Sequence, residues 1–293
     1  MVWEVLVIKK YSEHWKKVSC RNDEKIFSAL SEMLMFSTAT GAWEPENKAP
    51  GLFENSSSVL CSLDSADLEQ LISEVNEEKR FEGKLKPLEP DLIGEYYVLD
   101  YWTKKKYNRE YLEKIFCTLW EYPLNFAQFL NRCVQNYMKQ GLFQYLFQNG
   151  MKRLMPLEND GFEILLFSML LVNLIVEQTE EEAIESVSRL EELSGKYEGN
   201  EEIALAYANG LFNLSCDQEE AGAKESVSRL EELSGKYEGN EEIALAYAKG
   251  LFILSCNQDE SKRRTSLKRL DELRKKYKLV DEWFIEFFRN LNK

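Results

Sequence analysis

The residues of this chain that could do chemistry are many, but few are arranged for catalysis. Its one histidine, His14, has no partner at ligand spacing, and the six cysteines (Cys20, Cys61, Cys117, Cys133, Cys216, Cys256) form no Cys-x-x-Cys pair. A zinc site or a histidine-based triad is therefore not expected. Carboxylate pairs are abundant, but Glu191-Glu192 and Glu201-Glu202 recur as Glu231-Glu232 and Glu241-Glu242. A general acid and base need one site with two contrasting environments, not a duplicated surface, so these pairs read as solvated helix faces. The Gly-x-Ser-x-Gly, His-Glu-x-x-His and EF-hand spacings are absent, as is any Gly-x-x-x-x-Gly-Lys-Ser/Thr loop to cradle a phosphate. Recognition is the chemistry that remains. Ser186, Ser188, Arg189 and Glu192, with their copies Ser226, Ser228, Arg229 and Glu232, offer hydroxyls, a guanidinium and a carboxylate twice over. Such a periodic polar surface suits an extended protein or peptide ligand. No enzyme activity and no cofactor are expected.

The element that positions these residues is a repeat. Residues 185–208 reappear letter for letter at 225–248, a spacing of 40. A degraded third copy follows at Ser266, Arg269, Leu270, Leu273 and Tyr277. The most apolar run, 162–176, fits the same register one unit earlier, with Leu165, Phe167, Leu171, Asn173, Leu174 and Gln178 under Leu205, Tyr207, Leu211, Asn213, Leu214 and Gln218. It is shorter than the ~20 apolar residues of a membrane span and is broken by Glu163 and Asn173, so a buried helix is expected. Self-similarity at this period marks a stacked array of helix pairs.

Within a unit, helix A is expected from about 180 to 197, with Val187, Leu190, Leu193, Ser194 and Tyr197 inward. Gly199 suits the left-handed residue that ends a helix, and Asn200 can cap helix B. Ala204, Ala206, Ala208 and Gly210 keep helix B thin, which makes Gly210 a packing requirement; Gly195 has no evident reason. Cys216 and Cys256, the same repeat position, read as two buried small side chains rather than a disulfide. At the end of the chain Trp283, Phe284, Ile285, Phe287 and Phe288 replace the thin helix, as a terminal cap would.

The net charge of −14 is uneven: residues 157–260 hold 6 Lys+Arg against 24 Asp+Glu, a net of −18, while 261–293 carry +6. So acidic an array repels phosphate backbones, which argues against nucleic acid along it. The first ten residues lack a basic and long apolar signal sequence, and a cytoplasmic setting with no membrane is expected. Val5, Leu6, Val7 and Ile8 suggest a short strand or extended arm over 1–10. Helices are expected from Asn22 to about Ser37, from Ser65 to Val75, from Pro90, and throughout 107–156, with breaks at Pro123, Gly141 and Gly150. A loop is expected over 41–58, and a hairpin or wing at Arg80–Leu85.

One stretch is similar to a known family. Pro90-Asp91-Leu92-Ile93-Gly94-Glu95-Tyr96-Tyr97-Val98-Leu99 resembles the segment following the winged-helix core of STAND-type signalling NTPases, the NACHT and NB-ARC-like proteins. Ser37-Thr38-Ala39-Thr40-Gly41 resembles the Ala-Thr-x-x-Gly turn of that region, and residues 123–137 resemble the helix leading to its sensor repeats. The repeat unit itself resembles a tetratricopeptide repeat over helix A and the turn (Leu190, Leu193, Ser194, Tyr197, Ala206). It departs at Gly210, Asn213 and Gln218, and its period is about six residues longer. These resemblances imply a mainly α chain: a winged-helix-like domain over 1–104, a helical linker over 105–156 and TPR-like repeats over 157–293. Lacking a P-loop, it would be the sensor or scaffold part of such a system, working with a separate P-loop NTPase. The alternative expectation is a DNA-binding winged helix that uses Lys104, Lys105, Lys106 and Arg109 and carries a repeat-based oligomerisation or partner-binding arm.

Overall fold

The computed structural model describes residues 2–47, 49–77, 82–89, 91–105, 108–137 and 161–277. The chain is mainly α-helical; among the described residues there is no strand, only an isolated antiparallel bridge between Trp43 and Leu85. It divides into two units, residues 1–163 and 164–293.

The first unit holds α1 (Val2–His14), a π-helical turn (Trp15–Ser19), α2 (Glu24–Thr40), α3 (Glu54–Cys61), α4 (Ser65–Val75), α5 (Asp91–Lys104), α6 (Arg109–Leu119) and α7 (Pro123–Tyr137). The start of the chain is thus helical, not extended. Ile8, Tyr11 and Trp15 share one helical face, where Ile8 and Trp15 are buried, Tyr11 stacks on Trp15 at 5.5 Å, and Trp15 meets Tyr97 of α5 edge-on at 6.3 Å. That packing overrides the β-branched preference of Val5 and Val7. The expected loop at 41–58 also ends early, because α3 begins at Glu54. Of the expected wing, residues 80 and 81 lie outside the described residues, and Leu85 forms an isolated antiparallel bridge with Trp43.

The three segments that carry the family resemblance pack on one another. The last turns of α2 are buried through Thr40, and Gly41 (φ 109°) lets the chain leave at once. Ser37 donates to the Leu85 carbonyl at 2.6 Å, Leu88 N–H donates to Thr38 Oγ1 at 3.2 Å, and Asn125 of α7 donates to the Thr40 carbonyl at 2.6 Å. Glu95, only 1% exposed on α5, accepts from Arg132 Nε at 2.9 Å and Asn136 Nδ2 at 2.8 Å, both on α7. Burial raises its carboxyl above the usual range, opposed by those two donors. Tyr137 closes the contact by donating to the Leu92 carbonyl at 2.6 Å. Trp102, Phe116, Phe126 and Phe129 fill the space between α5, α6 and α7 with edge-to-face rings.

The second unit is built of helix pairs. Helix α8 (Gly161–Ile175) is followed by α9 (Glu180–Lys196), α10 (Glu201–Asp217), α11 (Glu220–Lys236), α12 (Glu241–Cys256) and α13 (Glu260–Tyr277). We refer to α9, α11 and α13 as A helices and to α8, α10 and α12 as B helices. Each A helix ends as its sequence dictates: Gly199 and Gly239 take φ of 88° and 99°, and Asn200 and Asn240 accept from Ile203 and Ile243 N–H at 3.0 Å. Val187, Leu190, Ile203, Ala204, Ala208 and Leu211 are buried between the two helices of a pair, as are their counterparts 40 residues on. At Gly210 a Cβ would stand 2.6 Å from Leu190 Cδ1, so the B helix must be bare there for the A helix to seat. The expected cap at 283–288 and the first helix of the divergent unit, near 151–157, lie outside the described residues.

Gly195 and Gly235 contrast with Gly210. Each sits inside an exposed A-helix turn, and a Cβ there would meet nothing within 4 Å. Alanine at either position should raise stability by about 0.5–1 kcal/mol through helix propensity. A urea midpoint that falls in either variant would show an unrecognised contact.

Candidate interaction faces of the helix pairs

The recognition residues expected from sequence sort into two kinds. Ser186 and Ser226 are buried, at 0% and 3% exposed, and each donates at 2.7 Å to the side-chain oxygen of the glutamine eight residues earlier, Gln178 or Gln218. Ser266 and Gln258 repeat the bond at 2.7 Å. These two serines therefore lock the end of one B helix to the following A helix and do not face a ligand. Ser188, Ser228, Glu192 and Glu232 are exposed; Ser228 also donates to the Lys224 carbonyl of its own helix at 2.9 Å. Arg189 pairs with Glu192 one turn along. Arg229 instead reaches back to Glu191 on the preceding A helix and lies 5.6 Å from the Tyr207 ring centroid.

Ser226→Ala should cost about 1–2 kcal/mol, because it leaves the Gln218 oxygen without its donor. Ser228→Ala should stay within about 0.5 kcal/mol. Thermal unfolding that ranked the two variants equally would contradict the different roles assigned to them.

Arg229 belongs to a ladder that joins successive pairs at spacings of 38 to 42. Arg269 pairs with Glu231 at 3.2 Å, Lys236 with Glu198 at 2.8 Å, Lys276 with Glu238 at 2.7 Å and Lys262 with Glu220 at 2.8 Å. Tyr237 accepts from Gly199 N–H at 3.2 Å, and Asn240 donates to Glu201 at 2.7 Å. Burial by itself would raise the Glu191 carboxyl, but hydrogen bonds from Arg229 and Tyr207 hold it below the usual range. Exposed pairs of this kind contribute only about 0–1 kcal/mol each, so they set register more than stability.

Two faces result. The B helices α10 and α12 pack directly on one another, whereas the A helices are bridged across a gap by the ladder. Between α11 and α13 that gap is a groove of about 420 Å³, floored by Val227, Leu251 and Leu254 and walled by the pairs Glu220–Lys262 and Glu231–Arg269. Both of its glutamates are met by a cation, and Lys224 adds one further positive charge to its lining. On the B side, α8 and α10 enclose a more apolar groove of about 330 Å³ lined by Leu165, Met169, Val172, Leu205 and Ala206, with Glu202 at its edge. Helix α8 is held there by Asn213, which donates to the Val172 carbonyl at 3.3 Å.

Sequence reasoning missed the glutamine lock, although Gln178, Gln218 and Gln258 recur at the repeat spacing. It also placed Cys216 and Cys256 inside; both are exposed, on the last turn of their B helices, where the side chains turn outward. Cys20 and Cys133 are the buried thiols, and burial pushes Cys20 up to about 11, far from a reactive thiolate. Of the residues considered for DNA, Lys104 pairs with Asp100 at 2.5 Å, and Lys105 lies over the Tyr101 and Tyr111 rings. Lys106 and the Arg109 side chain lie outside the described residues. No protein-family model, curated protein or solved structure matches the chain.

Proposed function

We propose that this chain is a non-catalytic interaction module that binds a protein or peptide along its helix pairs. In this reading the second unit is a TPR-like α-solenoid with 40-residue repeats. The first is the winged-helix-like part of a STAND-type signalling or defence system. The observation that carries it is the recurrence, 40 residues apart, of the same helix pair with the same lock and ladder bonds, which multiplies one surface instead of building one pocket. Extended ligands are what such surfaces fit. The packing of residues 37–41, 90–99 and 123–137 on one another supports the family reading of the first unit.

Photo-cross-linkers at Ser188 and Ser228 on the A side, and at Asn209 and Lys249 on the B side, test the proposal in cells that express the full chain. Polypeptide adducts at both positions of one face are expected. Adducts confined to the first unit, or none with polypeptide, would overturn it.

A further inference from the structure

We infer that the groove between α8 and α10 is the docking site, and that its occupant is an amphipathic segment of a partner protein. That segment would present one large apolar side chain with a Lys or Arg about one turn away. This rests on the polypeptide-binding reading above and adds the face and the chemistry of the ligand.

The first argument is the exposed apolar surface. Met169 is 50% exposed and Val176, just past the end of α8, is 58% exposed, while Leu165, Val172 and Leu205 are half-buried around the groove. Among the described residues of the second unit, Ile184 on α9 is the one other large apolar side chain so exposed, and it lines neither this groove nor the one between α11 and α13. The volume of about 330 Å³ lies at the lower end of pockets that enclose a ligand group, ~300–1,000 Å³. The next interval along the array carries Phe212 where this one has Val172, and Lys249 where Asn209 stands, so the two intervals are not equivalent in space or charge.

The second argument is charge. On the A side the groove glutamates, Glu220 and Glu231, are each met by a cation of the following pair. Glu202, exposed in the first turn of α10 beside the apolar lining, is met by no cation among the described residues, and the surrounding stretch 157–260 carries −18. An apolar cleft edged by an unneutralised carboxylate in a negative field selects a cationic amphipathic segment and rejects an acidic one.

The test uses the full chain and a fluorescein-labelled 16-residue helical peptide with leucines on one face and lysines on the other, alongside its glutamate counterpart. Fluorescence polarisation should show saturable binding of the lysine peptide only. Met169→Glu and Glu202→Lys should each weaken it at least tenfold. Glu232→Lys, the same charge change on the A side, should weaken it less than threefold. Because Met169 is half exposed, circular dichroism of Met169→Glu should match the parent.

Equal loss in Glu202→Lys and Glu232→Lys would mean attraction to bulk charge and would overturn the site. Binding that survives both B-side variants but is lost on Ser228→Arg would move the site to the A side and leave the polypeptide-binding reading standing. No binding of either peptide would overturn the ligand chemistry, and photo-cross-linking would then judge the broader reading alone. Sedimentation that shows self-association abolished by Met169→Glu would assign the groove to a second copy and overturn the partner.

Discussion

Gly94→Ala should lower the stability of the first unit by about 1–3 kcal/mol, as overpacking of a closed site does. A Cβ at this position would stand 2.6 Å from the Leu88 carbonyl oxygen and 2.9 Å from Thr38 Cγ2. The first contact is the decisive one. A backbone oxygen moves only with its chain, and Leu88 is pinned by its N–H bond to Thr38 Oγ1. The helix-propensity gain of about 1 kcal/mol on leaving glycine opposes this loss and is too small to cancel it. Thr38→Ser in the same background removes Cγ2 but keeps the oxygen, so only part of the loss should return. Tryptophan fluorescence in urea is the measurement, since five of the six tryptophans (Trp3, Trp15, Trp43, Trp102, Trp120) lie in this unit. An unchanged midpoint would mean that α5 does not sit against α2 as described.

The second large effect is expected in the middle of the array. Leu230 is fully buried, and its Cδ1 fills the notch left by Gly250, where a Cβ would come within 2.8 Å. Leu230→Ala should cost about 2–5 kcal/mol, the range for a buried leucine whose cavity cannot collapse. In that background Gly250→Ala should restore about 1 kcal/mol, since the clash is gone and the propensity gain remains; alone, it should be neutral or destabilising. The sign change is the test, read from a double-mutant cycle by circular dichroism. Strictly additive effects would show that the two residues do not touch.

How much of this is legible in the sequence depends on how local the cause is. Helix ends at Gly199 and Asn200, the helical nature of 162–176 and the requirement at Gly210 follow from residue type and a 40-residue spacing, and the helices lie where those signals put them. The start of the chain is harder. Val5, Leu6, Val7 and Ile8 carry β-type local preference, while the force that decides is the burial of Ile8 and Trp15, with Trp15 set against Tyr97 of the distant α5. The candidate binding residues are only half legible. A serine on a helix looks the same in sequence whether solvated or paired, and the fate of Ser186 and Ser226 is set by glutamines across a turn. The arginine pattern is equally ambiguous: Arg189 and Arg229 are the same letter in the same string, but one bonds within its helix and the other bridges to the previous pair. Which face is free is a property of stacking, and no single unit encodes it.

The arginine–glutamate bonds and the Lys236–Glu198 bond with its copy recur 40 residues apart, and this has a consequence for how the chain can change. Joining Leu190 directly to Glu231 excises 40 residues yet recreates the original string at the seam, with Gln178–Ser186 on one side and Arg269–Glu231 on the other both still available. The units are interchangeable parts. In-frame loss or duplication of a unit would shorten or lengthen the molecule by a constant step, with no new junction to invent and no redesign of its interior.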